Sequence, residues 1–307
     1  MDVREATFLI VGAGAVGSYV AARLHEKGAD VTLLTRRAEL VTLRGLRLAS
    51  PLGRFRHPVP AIVTTTGRPP VDVVLLCCRA NVLTEAVSEA IAVCGPHTIV
   101  VSLADGGPHR ETLERLLPQT RVIEGMFEAR LRLDADGIVS HRLPEARITI
   151  GTRGPDDIVA AMIARALNGR GLVAATSDNM DSLVWARTIY LAAGIGAAAL
   201  TGRPFRDALR FLPGKSHFLD LMADGREIAA ANGVTVDRRQ TWAYRHAPFL
   251  EASPVSAPAR STDPGGAGLE ALHILARMAR QTHERSAFMT ALEAATERDC
   301  SEAPHVA

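Results

Sequence analysis

The sequence predicts an α/β protein, a doubly wound parallel sheet followed by a second, all-helical C-terminal domain. Three observations predict it. Apolar, β-branched runs alternate with helical-period segments through the first half of the chain, which implies parallel strands joined by crossover helices. A glycine turn joins the first such run to the first helix. Beyond about Asp178 strand patterns vanish and only helical ones remain, so the expected domains are residues 1–176 and 177–307. With 307 residues and 47% hydrophobic content, the chain can bury two cores.

The first element is Thr7-Phe8-Leu9-Ile10-Val11, apolar throughout as an inner parallel strand should be. Gly12, Gly14 and Gly17 follow in G-x-G-x-x-G spacing. The first glycine allows the tight turn, the second lets backbone amides approach a diphosphate, and the third permits close packing of helix on strand. Val16, Val20, Ala21 and Leu24 then recur at helical spacing, Gly28 stands where a C-terminal cap belongs, and Val31 to Leu34 reads as a second strand. This is a Rossmann-type dinucleotide site, with Gly12, Gly14, Ala15, Val16 and Gly17 as expected diphosphate contacts at the positive end of the helix dipole. An acidic residue after the second strand would hydrogen-bond a ribose 2′-hydroxyl. The chain has Thr35, Arg36 and Arg37 instead, whose guanidinium forks suit a 2′-phosphate and point to NADP(H).

Composition excludes several classes. Lys and Arg number 35 against 33 Asp and Glu, with no basic cluster, so neither a nucleic acid nor a membrane surface is the expected partner. Asp2 and Glu5 precede a short apolar run broken at Gly12, unlike a signal peptide or spanning helix, and a cytoplasmic enzyme is expected. Cys77, Cys78, Cys94 and Cys300 have no metal-ligand spacing, so no metal or disulfide is expected. The only lysines are Lys27 and Lys215, which restricts amine-based acid chemistry because arginine keeps its proton.

Further along, Pro51 to Thr66 is mixed and β-prone. Val71 to Cys77 and Thr98 to Leu103 read as strands flanking a helix from about Val82 to Val93. The turn Asp105-Gly106-Gly107-Pro108 leads into a helix from His109 to Leu117, and Arg121 to Glu124 reads as one more strand. Alternating polar segments between Leu131 and Gly151 suggest an antiparallel addition at the sheet edge, and Pro155 opens a long helical stretch. Helices are expected over Ser182–Leu200, Lys215–Ala231, Arg238–Phe249 and Leu269–Ala295, with a Pro/Ser/Gly-rich loop or interdomain element from Ser253 to Gly268. The C-terminal helices are compatible with a homodimer, although no heptad pattern demands one.

Taken in order, GAGAVGSYVAARL, Thr35-Arg36-Arg37, Asp72-Val73-Val74-Leu75-Leu76-Cys77-Cys78-Arg79-Ala80, Asp105-Gly106, the segments Asp136 to His141 and Ile148 to Gly151, and Leu183-Val184-Trp185-Ala186-Arg187 before Ala199-Leu200-Thr201-Gly202 make the chain similar to the ketopantoate reductase (2-dehydropantoate 2-reductase) family across its length. The resemblance implies NADPH, a helical second domain and a small-molecule substrate bound in the cleft between domains. It adds Arg79, Ala80, Asp105 and Gly106 to the expected cofactor contacts. That family's proton-donating lysine matches Arg187, a good electrostatic stabiliser and carboxylate grip but a poor acid. Two of its asparagines match Leu191 and Ile195, and its substrate-binding glutamate matches Ala267, with Glu270 nearly a helical turn on. Arg187 and Glu270 are therefore the candidate catalytic residues, and the expected activity is reduction of a small 2-oxo-acid-like carbonyl or an imine other than ketopantoate. Structural roles stay open for both, as does helix capping for Asp105. A non-redox cyclase or isomerase, or a non-catalytic NADP-binding protein, would use the same scaffold.

Overall fold

The computed structural model describes residues 3–105, 107–129, 131–154, 156–203, 205–239, 267–282 and 286–302. These form two units, one of residues up to 105 with 109–180, the other of 107–108 with the residues from 181 on. The division falls after Met180, whereas the sequence places it after Thr176.

In the first unit β1 (Thr7–Val11), α1 (Ala15–Glu26), β2 (Asp30–Leu34), α2 (Ala38–Arg44), β3 (Leu46–Ser50), β4 (Gly53–His57) and β5 (Ala61–Ile62) are followed by β6 (Val73–Leu76), α3 (Leu83–Ala90), β7 (Ile99–Ser102) and α4 (Arg110–Leu116). Then come β8 (Arg121–Glu128), β9 (Leu131–Leu133), β10 (Ile138–His141), β11 (Ala146–Gly151), α5 (Ile158–Leu167) and β12 (Leu172–Ser177). The main sheet has the order β12-β11-β8-β7-β6-β1-β2-β5, parallel except where β11 meets β8. β1 is flanked by β2 and β6, so the strand order reverses there, which is the topological switch point where open α/β sheets bind ligands. Alternation along β1 serves two cores. Phe8 and Ile10 pack with Val20, Ala21 and Leu24 of α1, whereas Leu9 and Val11 pack with Leu83, Ala86 and Val87 of α3 on the opposite face.

Several expectations need correction. The segment from 131 to 151 is not one edge addition: β11 extends the main sheet, but β10 pairs with β3 and β9 in a separate sheet of order β4-β3-β10-β9. The stretch opened at Pro155 is a ten-residue helix that stops at Asn168, and β12 follows it, pairing in parallel with β11. Its outer residues Ala174, Ala175 and Thr176 are half-buried or exposed, which leaves a weak apolar signal for an edge strand. β8 runs four residues past its expected end.

The second unit holds α6 (Met180–Thr201), α7 (Phe205–Ala208), α8 (Leu212–Ala231), α9 (Ala267–Thr282) and α10 (Ala287–Glu302). α6 is long and apolar enough to cross a membrane, but 78% of its most apolar window is buried within the protein, as suits a central core helix. Close packing explains its small residues: a Cβ on Gly196 would stand 2.7 Å from Leu221 of α8 and 3.1 Å from Ala291 of α10. The single helix expected over Leu269–Ala295 is two. Ser286 starts the second, its hydroxyl accepting from the Phe288 amide and donating to the Asp224 carboxylate at 2.6 Å. Most of Arg238–Phe249 and all but the last two residues of Ser253–Gly268 lie outside the described residues.

Candidate nucleotide-binding site

The three glycines of the first turn do three different things. Gly12 has φ of +106°, and a Cβ there would press within 3.0 Å of the Cys77 carbonyl oxygen, so the tight turn from β1 needs glycine. Gly17 lies in the first turn of α1, where a Cβ would fall 1.9 Å from the Gly12 carbonyl oxygen and force helix and strand apart. Gly14 is different: its backbone is extended, any residue could adopt it, and a Cβ would meet no protein atom within 4 Å. The space it leaves is therefore not needed for folding and is available to a ligand. No side chain caps α1 and no acidic residue sits in its first turn, so the amide end spanning Ala15, Val16 and Gly17 presents an uncompensated positive dipole. These features fit a dinucleotide diphosphate.

An open cavity of about 380 Å³ lies over the C-terminal ends of β2, β1 and β6. Gly12, Ala13 and Gly14 line it from the turn, and Thr35, Arg36 and Arg37 from the end of β2. Val11, Leu34, Val82 and Ala86 give it an apolar floor beside the half-buried Cys78. Both arginines are exposed, and Arg37 reaches back to donate from Nη2 to the Ala13 carbonyl at 3.3 Å. A smaller cavity of about 40 Å³ adjoins it, sharing Ala13 and Arg37 and adding Arg44, Arg47 and Asp136. Arg47 is oriented by donation to the Asp136 carbonyl.

The structure thus gathers Gly12, Gly14, Thr35, Arg36 and Arg37 around one cavity, with Ala15, Val16 and Gly17 in the adjoining helical turn. Arg79 and Ala80 lie at the short 3₁₀ turn before α3 and do not line the cavity, whereas their neighbours Cys78 and Val82 do. Asp105 follows β7 and is half-buried; Gly106 lies outside the described residues. Asp105 does not cap the next helix. His109 occupies that position, its main-chain amide donating to Glu124 at 3.3 Å. Burial lowers the pKa of His109, partly offset by its hydrogen bond to the Asp105 main chain.

Sequence reasoning did not find Arg44, Arg47, Glu85 or Glu89, the last two being the acidic residues that α3 adds to the large cavity. Glu85 and Glu89 carried one signal, an i, i+4 spacing that puts them on one helix face. Arg44 and Arg47 carried none, because only the packing of α2 and β3 brings them to Ala13.

Arg187 and Glu270 belong to the second unit, both half-buried, on α6 and in the first turn of α9. Of the two lysines, Lys27 is committed to structure, its Nζ donating to the carbonyls of Arg165, Ala166 and Asn168 at the end of α5. Lys215 is exposed on α8. Among the described residues no group of three or more His, Cys, Asp or Glu could hold a metal ion.

Residues 8–155 match the model of the family described as ketopantoate reductase PanE/ApbA. An uncharacterized oxidoreductase of Bacillus subtilis, YkpB, is 26% identical over 233 residues, which cover 75% of this chain and 77% of that protein. A 2-dehydropantoate 2-reductase of Mesorhizobium japonicum is 27% identical over 260 residues, covering 75% and 79%. Among solved structures, the 2-dehydropantoate 2-reductase of Methylococcus capsulatus has a TM-score of 0.80 at 20% identity, covering 98% of this chain and 99% of that one. A D-mandelate dehydrogenase solved with NADH and anilino(oxo)acetate has a TM-score of 0.79 at 16% identity, covering 96% and 99%. The glycine turn, the switch-point cavity and the match over residues 8–155 agree: the nucleotide-site unit of this chain is similar to the ketopantoate reductase family, and its fold is that of the solved 2-dehydropantoate 2-reductases.

Proposed function

We propose that this protein is an NADPH-dependent reductase of a small 2-oxo-acid-like carbonyl or imine. The observation that carries the reading is the cradle at Gly14, where a Cβ would enter empty space at the uncapped start of α1, with Arg36 and Arg37 at the end of β2. When bound, the reduced cofactor supplies hydride. The chain's own residues seat its diphosphate on the first turn of α1 and its 2′-phosphate on the arginines, a planar fork being the natural partner of a phosphate. Arg37, shared with Arg44 and Arg47 by the smaller cavity, is the central reader of that phosphate.

Arg187 and Glu270 are the proposed substrate contacts in the helical unit. A guanidinium there holds a carboxylate or stabilises negative charge developing on the acceptor oxygen, without giving up its proton. With Lys27 tied to the end of α5, the proton added to the acceptor comes from solvent or from another side chain. Replacement of the family lysine by Arg187, and of its asparagines by Leu191 and Ile195, argues for a substrate more apolar than ketopantoate.

The test is direct binding followed by turnover. NADPH should bind by calorimetry at least about tenfold tighter than NADH, the worth of one well-made charged phosphate contact. Replacing Arg37 by alanine should erase most of that preference. A panel of 2-oxo acids and cyclic imines should then reveal NADPH oxidation that Arg187→Ala reduces. Binding without oxidation across the panel overturns the reductase reading, and no binding of either nucleotide overturns the site.

A further inference from the structure

The large cavity has two chemically opposite margins. From the β2 side come Arg36 and Arg37, and from the β6 side α3 contributes Glu85 and Glu89. Because β2 and β6 flank β1 on opposite edges, cations and carboxylates enter from opposite sides of the switch point. Between them lies the floor of Val11, Leu34, Val82 and Ala86. A flat apolar ring fits that floor, and the carboxylates at its edge need a hydrogen-bond donor, because ionised carboxylates only accept. Glu85 and Glu89 stand one helical turn apart, and both are exposed at the cavity rim.

We infer that Glu85 and Glu89 read the exocyclic amino group of the cofactor's adenine and so make the site selective for a 6-amino over a 6-oxo purine. This rests on the proposed nucleotide reading and adds base selectivity to it. Adenine presents an amino donor at position 6, where hypoxanthine presents a carbonyl acceptor. A carboxylate held against position 6 accepts from the amino group of the first and faces the carbonyl lone pairs of the second, whose donor on that edge is N1–H one atom away, so discrimination at position 6 comes from attraction and repulsion together. The 2′-phosphate meanwhile faces the arginines, which keeps the two charge types of the site matched to the two chemical ends of the adenosine half.

The test compares dissociation constants of NADPH and its hypoxanthine counterpart for wild type, Glu85→Gln, Glu89→Gln and the double variant. Both positions are exposed on a helix surface, so the variants should fold, and circular dichroism and thermal melting serve as the check. Wild type should prefer NADPH by about tenfold or more, the usual consequence of losing one charge-assisted hydrogen bond. A glutamine amide can turn to accept from one base or donate to the other. The double variant should therefore bring the ratio close to one, mainly by tightening the hypoxanthine dinucleotide. NADPH binding with no preference in wild type, or with a ratio that the double variant leaves unchanged, overturns base reading while leaving the nucleotide site standing. Equal weakening or tightening of both nucleotides overturns it too, because that is a charge effect and not recognition. If wild type binds neither nucleotide, both readings fall together.

Discussion

At the residue scale, Gly14 and Gly17 separate what the turn needs to fold from what it needs to bind. A Cβ at Gly17 collides with main chain that cannot move aside, so Gly17→Ala should cost at least about 1–3 kcal/mol of stability and lower the melting temperature. Gly14→Ala meets open space with φ of −74°, and its stability should stay within about 0.5 kcal/mol of wild type. Calorimetric titration should nevertheless show Gly14→Ala losing nucleotide affinity, because the added methyl occupies the proposed diphosphate space. His141 makes a second residue-scale prediction. It is 3% exposed, packs edge-on to Tyr19 at 5.1 Å, and is pushed down to about 4 by burial and then by the positive charge of Arg23. Its pKa in the folded protein lies below the value near 6.5 of an unfolded chain, so the stability it allows is complete above that pH and is lost as pH falls toward 4. Between pH 7 and pH 5 the loss should be about 2 kcal/mol by urea unfolding, and His141→Phe should remove that share of the pH dependence.

At the scale of elements, α5 shows how a short helix is held at both ends. Asp157 accepts from the amides of Ala160 and Arg153, each at 3.0 Å, and pairs with Arg121. Burial works against its charge, yet the amides and Arg121 prevail and keep its pKa below the ordinary carboxylate range. The stability it gives is therefore present at neutral pH and lost as acid protonates it. Replacing Asp157 by alanine should cost about 2 kcal/mol at pH 7, because the cap and the partner of Arg121 go together. At the other end Lys27 joins α1 to the last carbonyls of α5, and Lys27→Met should destabilise by about 1 kcal/mol through their loss. β12, which α5 precedes, was not legible in the sequence. An edge strand has only one neighbour, and the alternation of Ala174, Ala175 and Thr176 carries little apolar contrast, so its pairing with β11 decides its conformation. α6 was legible for the opposite reason: a helix apolar on all sides can only be a core helix or a membrane span, and its burial shows which.

For the molecule as a whole, ligand linkage offers a test that does not depend on the substrate. NADPH at a hundred times its dissociation constant should stabilise the folded protein by about 2.7 kcal/mol and raise its melting temperature, with NADH doing less at equal concentration. Sequence order alone determined that Gly12, Gly14 and Gly17 form a tight strand-to-helix turn and that Arg36 and Arg37 stand at the end of the second strand. These relations span fewer than about thirty residues, and one βαβ unit obeys the same geometry wherever it occurs. Only the tertiary structure decided that Glu85 and Glu89 face the same cavity as those arginines, that Arg44 and Arg47 gather behind Ala13, and that β10 leaves the main sheet to pair with β3. Those relations join segments whose meeting depends on how α2, α3 and the second sheet pack, and packing against distant partners leaves no periodicity in the chain to read.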